Sequence, residues 1–204
     1  MELQGPFRNA KEITLASSSP RRQRLLASLG INFYVISSNA KEKKEAKDSK
    51  FELLAIENAI NKARSVKEKV YSGVILAADT IVILENKILG KPKDEKECLS
   101  MLKLLSGKVH EVITGCCVLD LDENREDTFF VKSEVKIAKF EESILSAYIA
   151  TKEGLDKAGC YAVQGIGSFL IEWIKGSYTN VIGLPLKETV EALLRIGAIK
   201  IEKS

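Results

Sequence analysis

Asp79, which closes the apolar run "GVILAAD", is the residue of this 204-residue sequence best suited to catalysis. A carboxylate at the end of a buried strand projects from a rigid support into the mouth of the cleft that strand ends form. The same position also suits a capping or turn aspartate. Lys91, in "LGKP", follows a hairpin-like stretch, "TIVILENKIL", that returns the chain toward Asp79; taken alone it is a solvated loop lysine. Upstream, "SSSPRRQR" puts two arginines into the first turn of a helix, with Ser19 as N-cap and Pro20 at the first helical position. Cations there oppose the macrodipole by about 0.3–1 kcal/mol each, and a bound anion removes the conflict. A phosphate would accept from backbone N–H groups, from Ser18 or Ser19 and from a guanidinium; pairing of the arginines with carboxylates from elsewhere in the fold is the alternative. Arg22 shares a helical stripe with Leu25, Leu26 and Leu29 and so faces inward.

These residues need elements to carry them, and the hydrophobic pattern supplies a series. "ITLA" is a strand leading into the arginine-bearing helix, which ends near Gly30; "FYVISS" is a second strand, and "KEKKEAKDSK" a solvated surface loop. "FELLAIENAINKARSV" has helical periodicity at Leu53, Leu54, Ile56, Ala59, Ile60 and Ala63, and "GVILAAD" has the unbroken apolar character of a strand buried on both faces. A hairpin turning at residues 85–87 follows. Asp94 and Glu97 form a capping box for the helix in "EKECLSMLKLL", which stops at Gly107. Two strands, "VHEVITGCCVLDL" and "TFFVKSEVKIAKF", flank the turn "DENRED", and a helix in "EESILSAYIATKE" stops at Gly154. After the glycine-rich loop "GLDKAGCYAVQGIG" come a strand, "SFLIEWI", and a last helix between Pro185 and Gly197. The order implies an α/β protein with a mixed, largely central sheet, folded as one domain or as two small lobes sharing a cleft.

Composition excludes several classes of function. Lys and Arg, 31 together, are nearly balanced by 28 Asp and Glu, and the loop "KEKKEAKDSK" mixes both signs without aromatics, so no nucleic-acid partner is expected. The start of the chain carries no apolar export segment and no run approaches a membrane span, so a cytoplasmic protein without a membrane partner is expected. The four cysteines form no CxxC pair and there is one histidine, His110, which disfavours a zinc site. All four are expected to be reduced core thiols: Cys116 and Cys117 on opposite faces of a strand, Cys98 on a stripe with Met101, Leu102 and Leu105. His110 is expected to be packed or hydrogen-bonded rather than catalytic. Ser17 to Ser19 lack the surroundings of a nucleophile elbow, and "GIG" at residues 165–167 is no dinucleotide fingerprint.

Six blocks, "ITLASSSPRRQRLLASLG", "LAADTIV", "LGKPKD", "MLKLLSGKVHEVITG", "DKAGCYAVQGIG" and "WIKGSYTNVIGLPL", together resemble the Maf family of nucleoside triphosphate pyrophosphatases, in its order and at similar spacing over residues 13–190. The resemblance implies a Maf/ITPase-like two-lobed α/β fold with a central mixed sheet and a deep cleft between the lobes. Residues 1–12 would be an N-terminal extension and residues 13–204 a single catalytic domain. It further implies hydrolysis of a nucleoside triphosphate to the monophosphate and pyrophosphate, with a divalent metal, Mg2+ or alternatively Mn2+. Carried over by motif, Ser18, Arg21 and Arg22 bind phosphates, Asp79 activates water, Thr80 beside it binds substrate, and Lys91 contacts the triphosphate. Lys62, in "INKARSV", matches the family's helical lysine and would bind substrate, stabilising the departing pyrophosphate with Lys91 and the arginines. Glu42 aligns with the acid after the second strand and would join Asp79 as a metal ligand; "SSNAKEKKE" departs from the family's usual text there, so Glu45 is the alternative.

The loop "AGCYAVQG" resembles the branch acting on dTTP and UTP; the branch acting on 7-methyl-GTP carries a cysteine–glutamate pair where this chain has Val163 and Gln164. The Gln164 amide offers both a donor and an acceptor, as the O4 and N3–H of uracil or thymine require; a loop amide satisfying local backbone is the plainer reading. Two other functions fit the same resemblance: a nucleotide-binding regulator of cell division without turnover, and a pyrophosphatase for a modified purine such as 7-methyl-GTP or ITP. A homodimer is implied by the resemblance alone.

Overall fold

The computed structural model describes residues 5–202. In chain order the elements are β1 (Phe7–Asn9), β2 (Ile13–Leu15), α1 (Pro20–Ala27), β3 (Tyr34–Val35), α2 (Phe51–Val66), β4 (Val74–Leu84), β5 (Lys87–Leu89), α3 (Glu95–Leu105), β6 (Val109–Asp120), β7 (Arg125–Ile137), α4 (Glu142–Ala150), β8 (Ile171–Lys175), α5 (Tyr178–Ile182), α6 (Leu186–Arg195) and β9 (Ile199–Ile201). Seven strands form one mixed sheet in the order β3-β2-β4-β6-β7-β8, with β5 paired to β4; β1 and β9 form a separate two-stranded ribbon. β2 runs parallel to both β3 and β4, whereas β5 on β4 and β8 on β7 are antiparallel. This is the mixed α/β arrangement that the element order implies. Among the described residues, no helix is long and apolar enough to cross a membrane.

The described chain divides into two compact units. The first comprises the chain up to Asp79, Thr114–Val131 and Gly183 onward; the second comprises Thr80–Ile113 and Lys132–Ile182. β4, β6 and β7 each contain a changeover point, so each contributes residues to both units.

In the first unit the period-two alternation of β4 sorts its side chains. Val74, Leu76 and Ala78 join a core cluster with Ile13, Leu15, Leu26, Cys116, Val118, Leu184 and Leu193. Ile75 and Ala77 join Ala59, Ala63 and Val66 of α2 with Cys117 and Leu119 of β6. Asp79 continues the second series and therefore lies on the α2 face of the strand. α2 reaches the sheet closely because β6 has Gly115 beneath it: a Cβ there would collide with the Ala55 backbone. In the second unit a separate core packs Val82, Leu84 and Leu89 with Leu102 and Leu105 of α3, Val135 and Ile137 of β7, and Leu145 and Tyr148 of α4.

Several sequence expectations need correction. Asp79 does not end a strand; the apolar run resumes after it, and β4 continues five residues further, to Leu84, before the hairpin at Glu85 and Asn86, both with positive φ. Ser19 is the N-cap residue of α1 but makes no side-chain cap; its own N–H donates to Ser17 Oγ at 3.2 Å. Leu53 is exposed, and the buried stripe of α2 instead includes Asn58 and Lys62. Cys98 and Cys160 are bonded to each other as a disulfide with Cα atoms 5.4 Å apart, so only Cys116 and Cys117 are the free core thiols expected. Burial pushes both of these up, Cys117 to about 12, which keeps them protonated and unreactive. The N-cap half of the α3 capping box is present, Asp94 Oδ1 accepting from Glu97 N–H at 2.8 Å, while the Glu97 carboxylate reaches one residue beyond the N-cap and accepts from Lys93 N–H at 2.6 Å.

Candidate active site

The first unit gathers its polar side chains around Asp79, which is 4% exposed. Placed one turn apart on α2, Asn58 and Lys62 both point at it: Lys62 Nζ donates to Asp79 Oδ1 at 2.6 Å and Asn58 Nδ2 to Asp79 Oδ2 at 2.9 Å. The same Lys62 ammonium lies 2.7 Å from Glu42 Oε1, on the loop after β3. Asn58 also fastens that loop, accepting from Lys43 N–H at 2.9 Å and donating to Lys43 O at 3.0 Å. Two carboxylates from separate elements thus converge on one cationic position. A buried carboxylate without such partners is costly, and removing one member of a buried pair costs about 3–5 kcal/mol.

The β2–α1 turn belongs to the same unit. Ser17, not Ser18, is the buried hydroxyl there, and its Oγ accepts from Arg22 Nη1 at 3.4 Å. Arg22 Nε donates to Gly183 O at 2.8 Å. Burial lowers the Arg22 guanidinium below its usual range, and the charges of Asp79 and Glu42 pull in the opposite direction. Ser18 is exposed and Arg21 partly so. α1 has no acidic residue in its first turn and no side-chain cap, so its leading N–H groups and both arginines share one end of the helix.

The second unit carries Thr80, Lys91 and Gln164. Lys91 is exposed on the loop after β5, and the carbonyl of its neighbour Gly90 accepts from Gly159 N–H at 3.1 Å. That bond ties the lysine's loop to the start of the segment leading to Gln164, which is itself exposed. His110 is buried, as the sequence suggests, with Nε2 2.7 Å from Tyr161 Oη in the same segment. Burial pulls its pKa down to about 4, so it is neutral.

The sequence reading missed Asn58. Its signal was the i, i+4 spacing with Lys62 on a stripe otherwise made of apolar residues, where an asparagine must find partners. Ser17 was considered only as one of three serines, with nothing in the sequence to rank it above Ser18.

An α/β fold with a buried carboxylate held by a lysine, beside a helix opening with two arginines, defines a protein equipped for anionic substrates. The sequence model of the family described as Maf-like protein matches residues 12–196, and the chain belongs to that family. A protein of Ruminiclostridium cellulolyticum named dTTP/UTP pyrophosphatase is 45% identical to it over 92% of this chain and 97% of its own length. Proteins of the same name from Nitratidesulfovibrio vulgaris and Dictyoglomus turgidum are 44% and 40% identical, over 96% and 92% of this chain and 92% and 97% of their own.

Proposed function

We propose that this chain is a cytoplasmic, metal-dependent nucleotide diphosphatase that hydrolyses dTTP and UTP to the monophosphate and pyrophosphate. The observation that carries the reading is the buried Asp79 with Lys62 and Asn58 each on one of its oxygens, in a chain whose relatives bear that activity in their names. In this reading each Asp79 oxygen keeps a lone pair beyond its protein partner, with which the carboxylate orients and deprotonates the water that attacks the α-phosphorus. Lys62 and Asn58 fix its direction. Ser18, Arg21 and Arg22, with the N–H groups of α1, take phosphate oxygens, and Lys91 and Thr80 stabilise the charge that builds on departing pyrophosphate.

The residues present fit a divalent cation. Glu42 and Asp79 already share one cation, the Lys62 ammonium, and hard carboxylate oxygens suit Mg2+, with Mn2+ as the alternative. Among the described residues no group of three His, Cys, Asp or Glu side chains could hold a metal, so Asp79 and Glu42 would need substrate phosphates and water to complete the site. Asp79 and Glu42 would hold such an ion, and the chemistry it would supply when bound is Lewis-acid polarisation of the phosphoryl oxygens. Gln164 reads the pyrimidine through its paired donor and acceptor, and residues 13–204 form the catalytic domain, as a homodimer without nucleic-acid partners.

The test is release of pyrophosphate against orthophosphate, with Mg2+, from dTTP, UTP, CTP, GTP, ITP and 7-methyl-GTP, by wild type and Asp79→Asn. Pyrophosphate from dTTP and UTP, lost in the variant, is expected. Binding without turnover of any nucleotide would sink the enzyme reading in favour of a regulator. Turnover confined to ITP or 7-methyl-GTP would move the substrate to a modified purine.

A further inference from the structure

Gln164 lies in an irregular stretch, residues 161–165, bracketed by short 3-10 turns at Ala158–Cys160 and Ile166–Leu170. An exposed loop of this kind reads a base only if something fixes the direction of its amide. Before Gln164 there are three ties: Gly159 N–H to Gly90 O, the Cys160 disulfide to Cys98 of α3, and Tyr161 against His110 of β6. After Gln164 the tie is of a different kind. The Glu153 carboxylate, at the end of the α4 region, accepts from Ile166 N–H at 2.9 Å through Oε1 and from Gly167 N–H at 2.7 Å through Oε2.

We propose that Glu153 is a positioning residue for base selection: its bidentate grip on Ile166 and Gly167 fixes the backbone that presents Gln164. The proposal rests on Gln164 being the base-reading residue. Three features make the grip specific. A carboxylate accepts both N–H groups at once, whereas the isosteric glutamine amide has one accepting oxygen and turns its NH2 against the second N–H. Charge-assisted bonds of this kind are about twice as strong as neutral ones. Gly165, between the amide and the gripped pair, has φ +90°, and a Cβ there would strike Glu153 Oε1, so the chain after Gln164 is shaped to the carboxylate itself. The grip acts on the backbone that presents Gln164, so its loss falls on recognition rather than on the chemical step.

The experiment compares kcat and KM for UTP and CTP in wild type, Gln164→Ala, Glu153→Gln and Glu153→Asp, with thermal unfolding of each. Glu153→Gln is expected to raise KM for UTP about tenfold and to lower the UTP-over-CTP preference by a similar factor while kcat stays within about twofold. Glu153→Asp, which keeps the charge but draws it back from the two N–H groups by one methylene, is expected to do likewise and stands in if Glu153→Gln does not fold. If Gln164→Ala relaxes the preference and neither other variant does, Glu153 has no positioning role. An equal fall in kcat for both nucleotides with the preference intact would mark general damage and also overturn it. A preference untouched by Gln164→Ala removes the base-reading role and this proposal with it, leaving the pyrophosphatase chemistry standing.

Discussion

Asp79 and His110 are buried ionisable groups on which the candidate chemistry and its supporting loop depend, and their surroundings differ. Asp79 is met by an ammonium and an amide, His110 by one phenol oxygen, with no hydrogen-bond partner at Nδ1. Burial holds the imidazole neutral, near 4 against an ordinary 6.5. The unfolded chain binds a proton at His110 below pH 6.5 and the folded chain does not until pH 4. Stability is fully present above pH 6.5 and falls as the pH drops between those values, by about 3 kcal/mol at 1.36 kcal/mol per pKa unit. Urea unfolding at about pH 7, 6 and 5 reads this directly. A His110→Gln variant is expected to be less stable at neutral pH but to lose this part of the acid slope, so profiles that run parallel for wild type and variant would contradict the assignment.

Elements decide whether Asn58 and Lys62 reach Asp79 at all. α2 sits close to β6 because Gly115 has no side chain, and Gly115→Ala is expected to push α2 outward at Ala55, one turn before Asn58. Overpacking of this kind costs about 1–3 kcal/mol, and the accompanying displacement of Asn58 and Lys62 is expected to lower kcat at least tenfold. A variant that loses stability but keeps full kcat would show that the site tolerates movement of the helix. The long elements were legible in the sequence because their signals are local: the capping box of α3, the glycines after α1 and α3, and the apolar run of β4. β1, β9 and α5, of three to five residues each, exist through tertiary pairing and leave no periodicity to read. Asp79 was legible as a special residue but not as a mid-strand one, since a charged residue inside a buried strand normally ends it. The Cys98–Cys160 pairing was not legible either: 62 residues separate the two, and each sits among apolar neighbours that suit a free thiol equally well. In the first unit, the convergence of Glu42, Lys62 and Asp79 needed the fold, because the three lie on a loop, a helix and a strand.

At the scale of the whole molecule, neither unit is a continuous piece of chain. The first unit needs its third segment: Leu184, Ala192, Leu193, Ile196, Ala198 and Ile199 belong to the same apolar cluster as Ile13, Leu15, Val74 and Leu76. A chain ended at Ile182 is expected to leave that cluster uncovered, to bind a hydrophobic dye, and to lose cooperative unfolding together with activity. A soluble, cooperatively unfolding product would contradict the dependence. The second unit has no such requirement, for its last residue is Ile182. Synthesis from the N-terminus therefore delivers every residue of the second unit before the first unit has its closing helix. β2 and β4 emerge early, and the apolar face they share with α6, opposite the α2 face that carries Asp79, stays open until α6 leaves the ribosome. The core begun by the first strands to appear is therefore the last to be closed.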